Sequence, residues 1–216
     1  YAFSTCESLS ELSIPGNPSV EIKDYAFANC KSLTDLECFH NITGIGKYAF
    51  QNCSELKTAN ISGTVNTISD HAFLNCSSLV TLRINEGTST IDNYAFWNCS
   101  SLSEINFNEG LERIESNAFA YCGSLKHITL PSSLQKCVGT SFKDFNNLRS
   151  ITLRSVIAPD TEGACPVSGV DLNQVTLYVP KISKIEYQLA GGWSSILNVV
   201  PTNYMPEDIV VTRDFT

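Results

Sequence analysis

The chain has 216 residues, 43% of them apolar, and a formal net charge of −8 with the acids scattered along it. That composition supports a folded core rather than a disordered chain. It argues against nucleic-acid binding, which needs clustered Lys and Arg, and no run of 18 or more apolar residues is present to cross a membrane as a helix.

The chain opens at "YAFSTCESL", inside a unit that then recurs. The Phe of each unit falls at Phe3, Phe27, Phe50, Phe73, Phe96, Phe119 and Phe142, spaced 24 once and 23 thereafter. The extra residue falls between Ile14 and Ile22, where "PGNPS" reads as a turn that an insertion only lengthens. Three residues after each Phe stands Cys6, Cys30, Cys53, Cys76, Cys99 or Cys122, with Phe145 in the last unit. Leu follows, as at Leu56, Leu79 and Leu102, then apolar pairs such as Leu82 and Ile84. A further apolar column is Ile22, Ile45, Ile68, Ile91 and Ile114. Opening inside a unit implies a fragment or processed form of a longer protein, with more repeats or a cap before Tyr1. The uncovered first coil is then a candidate for end-to-end association, because unpaired strand edges recruit partners.

A period in the twenties with L-x-x-L-x-L predicts a leucine-rich repeat solenoid. The last two apolar residues are two apart and share one face of a short strand. Coil stacked on coil pairs these strands in a parallel sheet and buries the columns in a continuous core. The expected fold is a β-rich, right-handed superhelix with a parallel concave sheet and few helices. Cys38 and Cys137 also fall on apolar columns, so eight of the nine cysteines are predicted to point inward as free thiols filling space. A column of like side chains pointing one way gives no natural disulfide pairing. No C-x-x-C and no His at ligand spacing occur, so neither a metal nor another cofactor is expected. Cys165, in "EGACPVSGV", is the one cysteine outside the pattern and the predicted exposed thiol. The repeated Asn29, Asn52, Asn75 and Asn98 are read as bonding loop backbone through their amides.

The pattern I-x-x-x-A-F-x-x-C-x-x-L-x-x-I-x-I over residues 1–153 resembles the BspA-like leucine-rich repeats of bacterial cell-surface proteins. That resemblance implies an extracellular or cell-surface solenoid that adheres to host proteins or to other cells, with no shared catalytic residues.

After Leu153 the Ala-Phe and Cys signals stop. Residues 154–201 read as an irregular last repeat and a C-terminal cap with one short helix, and 202–216 as a tail or the start of another module. Leu172, Val175 and Leu177 repeat the offsets of Leu148, Ile151 and Leu153, which predicts an eighth strand. Ser183 and Glu186 have capping-box spacing, Ile185 and Leu189 fall on one helical face, and Gly191 and Gly192 stop the helix. Trp193, Ile196, Val199 and Val200 then pack against it.

Between the inward residues of each strand lie outward ones. Glu11, Asp35, Glu37, Asn60, Arg83, Glu104, Asn106 and His127 are the candidate binding residues of the concave face, which is otherwise an ordinary solvated sheet. Leu74, Trp97 and Tyr121 form a second candidate patch on the edge, or else simple packing between loops. The histidines His40, His71 and His127 occupy different repeat positions, and no nucleophile, metalloprotease or phosphate-loop motif is present. The sequence therefore favours a non-enzymatic recognition or adhesion module that binds host protein or glycan. The alternative is a structural spacer that displays another domain and binds nothing itself.

Overall fold

The computed structural model describes residues 1–12, 19–36, 42–61 and 64–203. Over these residues the chain winds into a parallel β-solenoid, as the repeat predicts, and most coils contribute two short strands. The Ile column supplies β1 (Val20–Ile22), β2 (Ile42–Ile45), β4 (Thr67–Ile68), β6 (Thr90–Ile91), β8 (Arg113–Ile114) and β10 (Lys136–Cys137), which form one six-stranded sheet. Its register sets Ile45 beside Ile68, Ile68 beside Ile91 and Ile114 beside Cys137. The L-x-x-L-x-L segments supply β3 (Thr58–Ile61), β5 (Thr81–Ile84), β7 (Glu104–Asn106), β9 (His127–Leu130) and β11 (Ser150–Leu153). Two further strands, β12 (Thr176–Pro180) and β13 (Asn198–Thr202), extend this face. It is not one sheet: β3, β5 and β7 pair together, β9, β11, β12 and β13 pair together, and the ladder is interrupted between β7 and β9. Residues 13–18, which hold most of the "PGNPS" turn, together with Glu37, Cys38 and His40, lie outside the described residues.

The third side of each coil is the Tyr-Ala-Phe-x-Asn turn. Tyr25, Tyr48, His71 and Tyr94 have φ of 57–58°, and Asn29, Asn52, Asn75 and Asn98 have φ of 58–62°. Two left-handed residues thus bracket a tight turn closed by bonds such as Ala28 N–H to the Tyr25 carbonyl at 3.2 Å. Asn adopts this conformation readily, whereas a bulky ring does so at a cost. Stacking offsets that cost: Tyr25, Tyr48, His71 and Tyr94 stack face to face with centroids 4.6–4.8 Å apart. The Asn side chains do not bond loop backbone, as the sequence suggested. They bond one another, Asn52 to Asn29 at 2.8 Å, Asn75 to Asn52 at 2.9 Å and Asn98 to Asn75 at 2.9 Å. The backbone N–H groups of these turns are already taken by the next coil, as in Asn52 to the Leu74 carbonyl at 2.8 Å.

Inside, Phe27, Phe50, Phe73, Phe96, Phe119 and Phe142 stack with successive centroids 5.0–5.6 Å apart. Beside them runs the cysteine column. Cys30, Cys53, Cys76, Cys99, Cys122 and Cys137 are buried free thiols. They are more than filler. The thiols of Cys53, Cys76, Cys99 and Cys122 each donate to the Phe carbonyl of the preceding coil, at 3.2–3.4 Å. Burial pushes the Cys53 thiol up to about 12, with the neighbouring Cys30 adding to the shift. Cys137 is likewise pushed up to about 12 by burial, against a lowering bond from Ser141. Two expectations are corrected. Cys6 holds an inward repeat position yet is exposed in the structure, and Cys165 is half-buried rather than exposed.

The C-terminal segment departs from the sequence reading in register and in facing. β12 aligns Leu177 with Ile151 and Thr176 with Ser150, two residues off the offset read from Leu172, Val175 and Leu177. Leu172–Gln174 instead form a short 3-10 turn capped by the Asp171 side chain. The predicted helix is α1 (Lys184–Leu189). Its Ser183 makes no cap bond, and Glu186 Oε1 accepts from the Ala158 N–H at 2.6 Å. Ile185 and Leu189 do share a face, but they are 72% and 78% exposed. Tyr187, two residues from each and so on the opposite side of a helix, is the buried residue. Its hydroxyl donates to the Ser155 carbonyl at 2.9 Å. Trp193 is fully buried, with its indole N–H on the Pro159 carbonyl at 2.9 Å, and Ile196 and Val199 are buried beside it while Val200 is half-buried. Gly192 is required by close approach, since a Cβ there would overlap the Ala164 carbonyl.

Candidate functional site

The strand register sorts the outward residues into two rows. The first runs Asp35, Thr58, Thr81, Glu104, and beyond the interruption His127, Ser150 and Thr176. The second runs Asn60, Arg83, Asn106, and beyond the interruption Thr129, Thr152 and Tyr178. Asn60, Arg83, Glu104 and Asn106 therefore meet on three adjacent strands. Asn60 accepts from Asn85 at 2.9 Å, and Asn106 donates to Glu104 at 3.2 Å. His127 sits across the break, where its Nδ1 pairs with the Ser150 hydroxyl at 2.8 Å. Asp35 joins the first row through a single bridge to Thr58. Glu11 is exposed but belongs to no strand, and Glu37 lies outside the described residues.

On the edge, Trp97 and Tyr121 meet edge to face at 5.2 Å, and the Lys143 ammonium lies 5.8 Å above the Tyr121 ring. Leu74 and Trp97 are half-buried, and Tyr121 is 39% exposed. Tyr121 stands where the Asn ladder would continue past Asn98, so the ring pair closes that ladder. His71, between two tyrosine rings, has a buried Nδ1 without a partner. Burial lowers its pKa against the raising effect of Asp70.

The interruption between β7 and β9 opens a polar cleft of about 180 Å³, lined by Ile105, Asn106, Phe107, Glu109, Thr129, Pro131 and Arg154. Of these, sequence reasoning made only Asn106 a candidate binding residue, with Thr129 placed as an outward residue of the same face. The cause is local. After β5 and β11 the next residue donates back one coil, Asn85 to the Ile61 carbonyl at 2.9 Å and Arg154 to the Leu130 carbonyl at 3.1 Å. Pro131 holds the equivalent position and has no N–H to donate. Phe107 replaces the Ile or Leu of its column, is only half-buried, and turns its ring edge-on to Phe119 at 5.7 Å. The proline, in step with Asn85 and Arg154, was the signal that could have located the break.

Glu109 is the fixed point of the cleft. Its Oε1 accepts from Arg154 at 2.7 Å, and its Oε2 accepts from the Ser132 N–H and hydroxyl, both at 2.8 Å. Partial burial works to raise this carboxyl, but the bonds from Arg154 and Ser132 outweigh it, and the group titrates below its ordinary value. The carboxylate thus ties together three successive coils. A second, apolar hollow of about 600 Å³ lies at the N-terminal end, lined by residues including Tyr1, Phe3, Leu12, Val20, Ile22 and Phe27. Among the described residues no group of three or more His, Cys, Asp or Glu is placed to hold a metal ion, and no helix is long and apolar enough to cross a membrane.

The model of the BspA type leucine-rich repeat region matches the chain in six copies, over residues 1–103 and 67–188. No curated protein matches the sequence. Among solved structures, a leucine-rich repeat protein of T. pallidum is similar at 22% identity and a TM-score of 0.56, covering 73% of this chain and 78% of its own. A leucine-rich repeat protein of Bacteroides ovatus is similar at 20% identity and a TM-score of 0.54, covering 93% of this chain. The pneumococcal vaccine antigen PcpA is similar at 16% identity and a TM-score of 0.50, covering 85% of this chain. The chain spans 56% of the B. ovatus protein and 66% of PcpA. At these identities the likeness is one of fold.

Proposed function

The chain belongs to the BspA-type leucine-rich repeat family, and on that premise we propose that it is a recognition module of the cell surface or of a secreted protein. It binds a host protein or glycan through the outward rows of the L-x-x-L-x-L face. One observation carries this reading: Asn60, Arg83, Glu104 and Asn106 are set in register on adjacent strands without contributing to the core. Extended rows of this kind are how solenoids present a binding surface. Their mixed charge gives a partner both donors and acceptors at strand spacing. The resemblance of fold to a pneumococcal antigen is consistent with exposure at a bacterial surface.

The test is binding of the chain to a panel of matrix proteins and glycans, beside a variant with Asn60, Arg83, Glu104 and His127 changed to Ala. Saturable binding that disappears in the variant while its circular dichroism is unchanged supports the proposal. Binding that survives places recognition elsewhere, with the Trp97 edge next to be tested. No binding by the parent chain favours the spacer.

A further inference from the structure

A stack of near-identical coils offers few places that occur only once. The cleft between β7 and β9 is such a place, and its chemistry is specific. We infer that it is a subsite for one ring of a neutral saccharide, held by Asn106, Glu109, Thr129 and Arg154 against the half-buried Phe107. This rests on the reading of the strand face as a recognition surface, and names the ligand class at one point of it.

Size and connectivity exclude the obvious alternative, an inserted peptide strand. A strand needs about 4.8 Å of extra separation between its neighbours. The two coils on either side keep normal spacing, because Ile114 pairs with Cys137 in the other sheet and Phe96 stacks on Phe119 at 5.1 Å. The coils are splayed at one side only, and the opening of about 180 Å³ suits a compact ring rather than an extended backbone.

The polar groups suit hydroxyls. A sugar hydroxyl donates and accepts at once, so adjacent hydroxyls are best met by a donor and an acceptor held side by side. Glu109 and Arg154, joined at 2.7 Å, are such a pair, and neither has to move to form it. Their charges compensate, so the site does not call for a charged ligand. The Asn106 amide and Thr129 hydroxyl each offer both roles. Phe107 and Ile105 are half-buried against the core and contribute only a small apolar part of an otherwise polar lining.

The experiment uses the full chain, isotope-labelled for NMR and titrated separately with glucose, galactose, mannose and N-acetylglucosamine. The variants are Glu109→Gln and Pro131→Asn, the latter restoring the N–H that Asn85 supplies at the same position. The expected result is saturable shifts confined to the amides of residues 105–109 and 129 with at least one sugar, weakened tenfold or more in both variants with the fold retained. Should Pro131→Asn leave the unliganded amides of 105–109 unmoved, Glu109→Gln decides alone. The inference is overturned if none of the four sugars shifts these amides, if the shifts are unchanged in the variants, or if only peptides bind there. In those cases panel binding that still depends on Arg83 and Glu104 leaves the recognition proposal standing, while an inert panel removes both.

Discussion

Asn75 combines the two devices that hold the turn, and replacing it separates them. It sits at a φ of 60°, accepts from the Asn98 amide at 2.9 Å and donates to Asn52 at 2.9 Å. Asn75→Ala loses both side-chain bonds, each worth about 0.5–1.5 kcal/mol net. It also places an ordinary side chain in the left-handed region, at about 1–2 kcal/mol. The sum is roughly 2–5 kcal/mol. Asn75→Gly loses the same bonds but relieves the backbone, so it costs about 1 kcal/mol less than Ala despite glycine's greater freedom in the unfolded chain. Urea unfolding followed by circular dichroism reads the difference as a shift in midpoint at constant slope. If Gly proves as damaging as Ala, the left-handed backbone contributes nothing and the account of why Asn recurs here is wrong. If neither moves the midpoint by a measurable amount, the amide ladder is ornamental.

Thiol labelling of the native protein should modify Cys6 quickly and Cys165 slowly, leaving Cys53, Cys76, Cys99 and Cys137 untouched until unfolding; rapid native modification of those four would contradict the buried column. The same thiols set an alkaline limit. Their folded pKa is raised above the ordinary thiol value, to about 12 for Cys53 and Cys137, so the stabilising neutral state is fully present below the unfolded pKa. Stability is then lost as pH rises from about 9 towards 12, at about 1.4 kcal/mol per pH unit for each thiol. Denaturation midpoints should be level near neutrality and fall above pH 9, less steeply in a Cys53→Ala, Cys137→Ala pair. His71→Tyr should raise the melting temperature by removing a buried unpartnered nitrogen from the ring stack. It should also lessen the loss of stability below the ordinary histidine pKa, because the lowered folded pKa of His71 makes the unfolded chain the better proton acceptor as pH falls. No change in the acid limb would show that His71 titrates freely. Gly192→Ala should unseat Trp193 through the Ala164 carbonyl, seen as a red-shifted, quenchable indole emission.

Much of the solenoid was legible in the sequence because each inward column is defined by its own spacing. Phe50, Cys53, Leu56 and Ile68 stand at fixed offsets, and every one is buried. The outward rows follow from strand alternation, so Asn60, Arg83 and Asn106 could be placed in a line before the fold was known. The register of β12 was not legible, because the intervening loop resets the count: Leu177 pairs with Ile151 across 26 residues rather than 23. Nor was the facing of α1, where a six-residue helix offers either Tyr187 or the Ile185 and Leu189 pair to the core, and only the neighbouring loop around Ser155 and Pro159 selects the tyrosine.

The sequence by itself determined the coil: its period, its inward columns, and the parallel stacking that those columns require. Tertiary structure decided what covers each coil. Tyr187 and Trp193 pack against the loop after β11 through the Ser155 and Pro159 carbonyls, which no repeat spacing announces. Tertiary structure also decided where the sheet opens. Pro131 withholds one N–H, Phe107 turns edge-on, and Glu109 reaches Arg154 across 45 residues. A repeat unit reports its own geometry faithfully, but a missing bond between units appears only when the units are stacked.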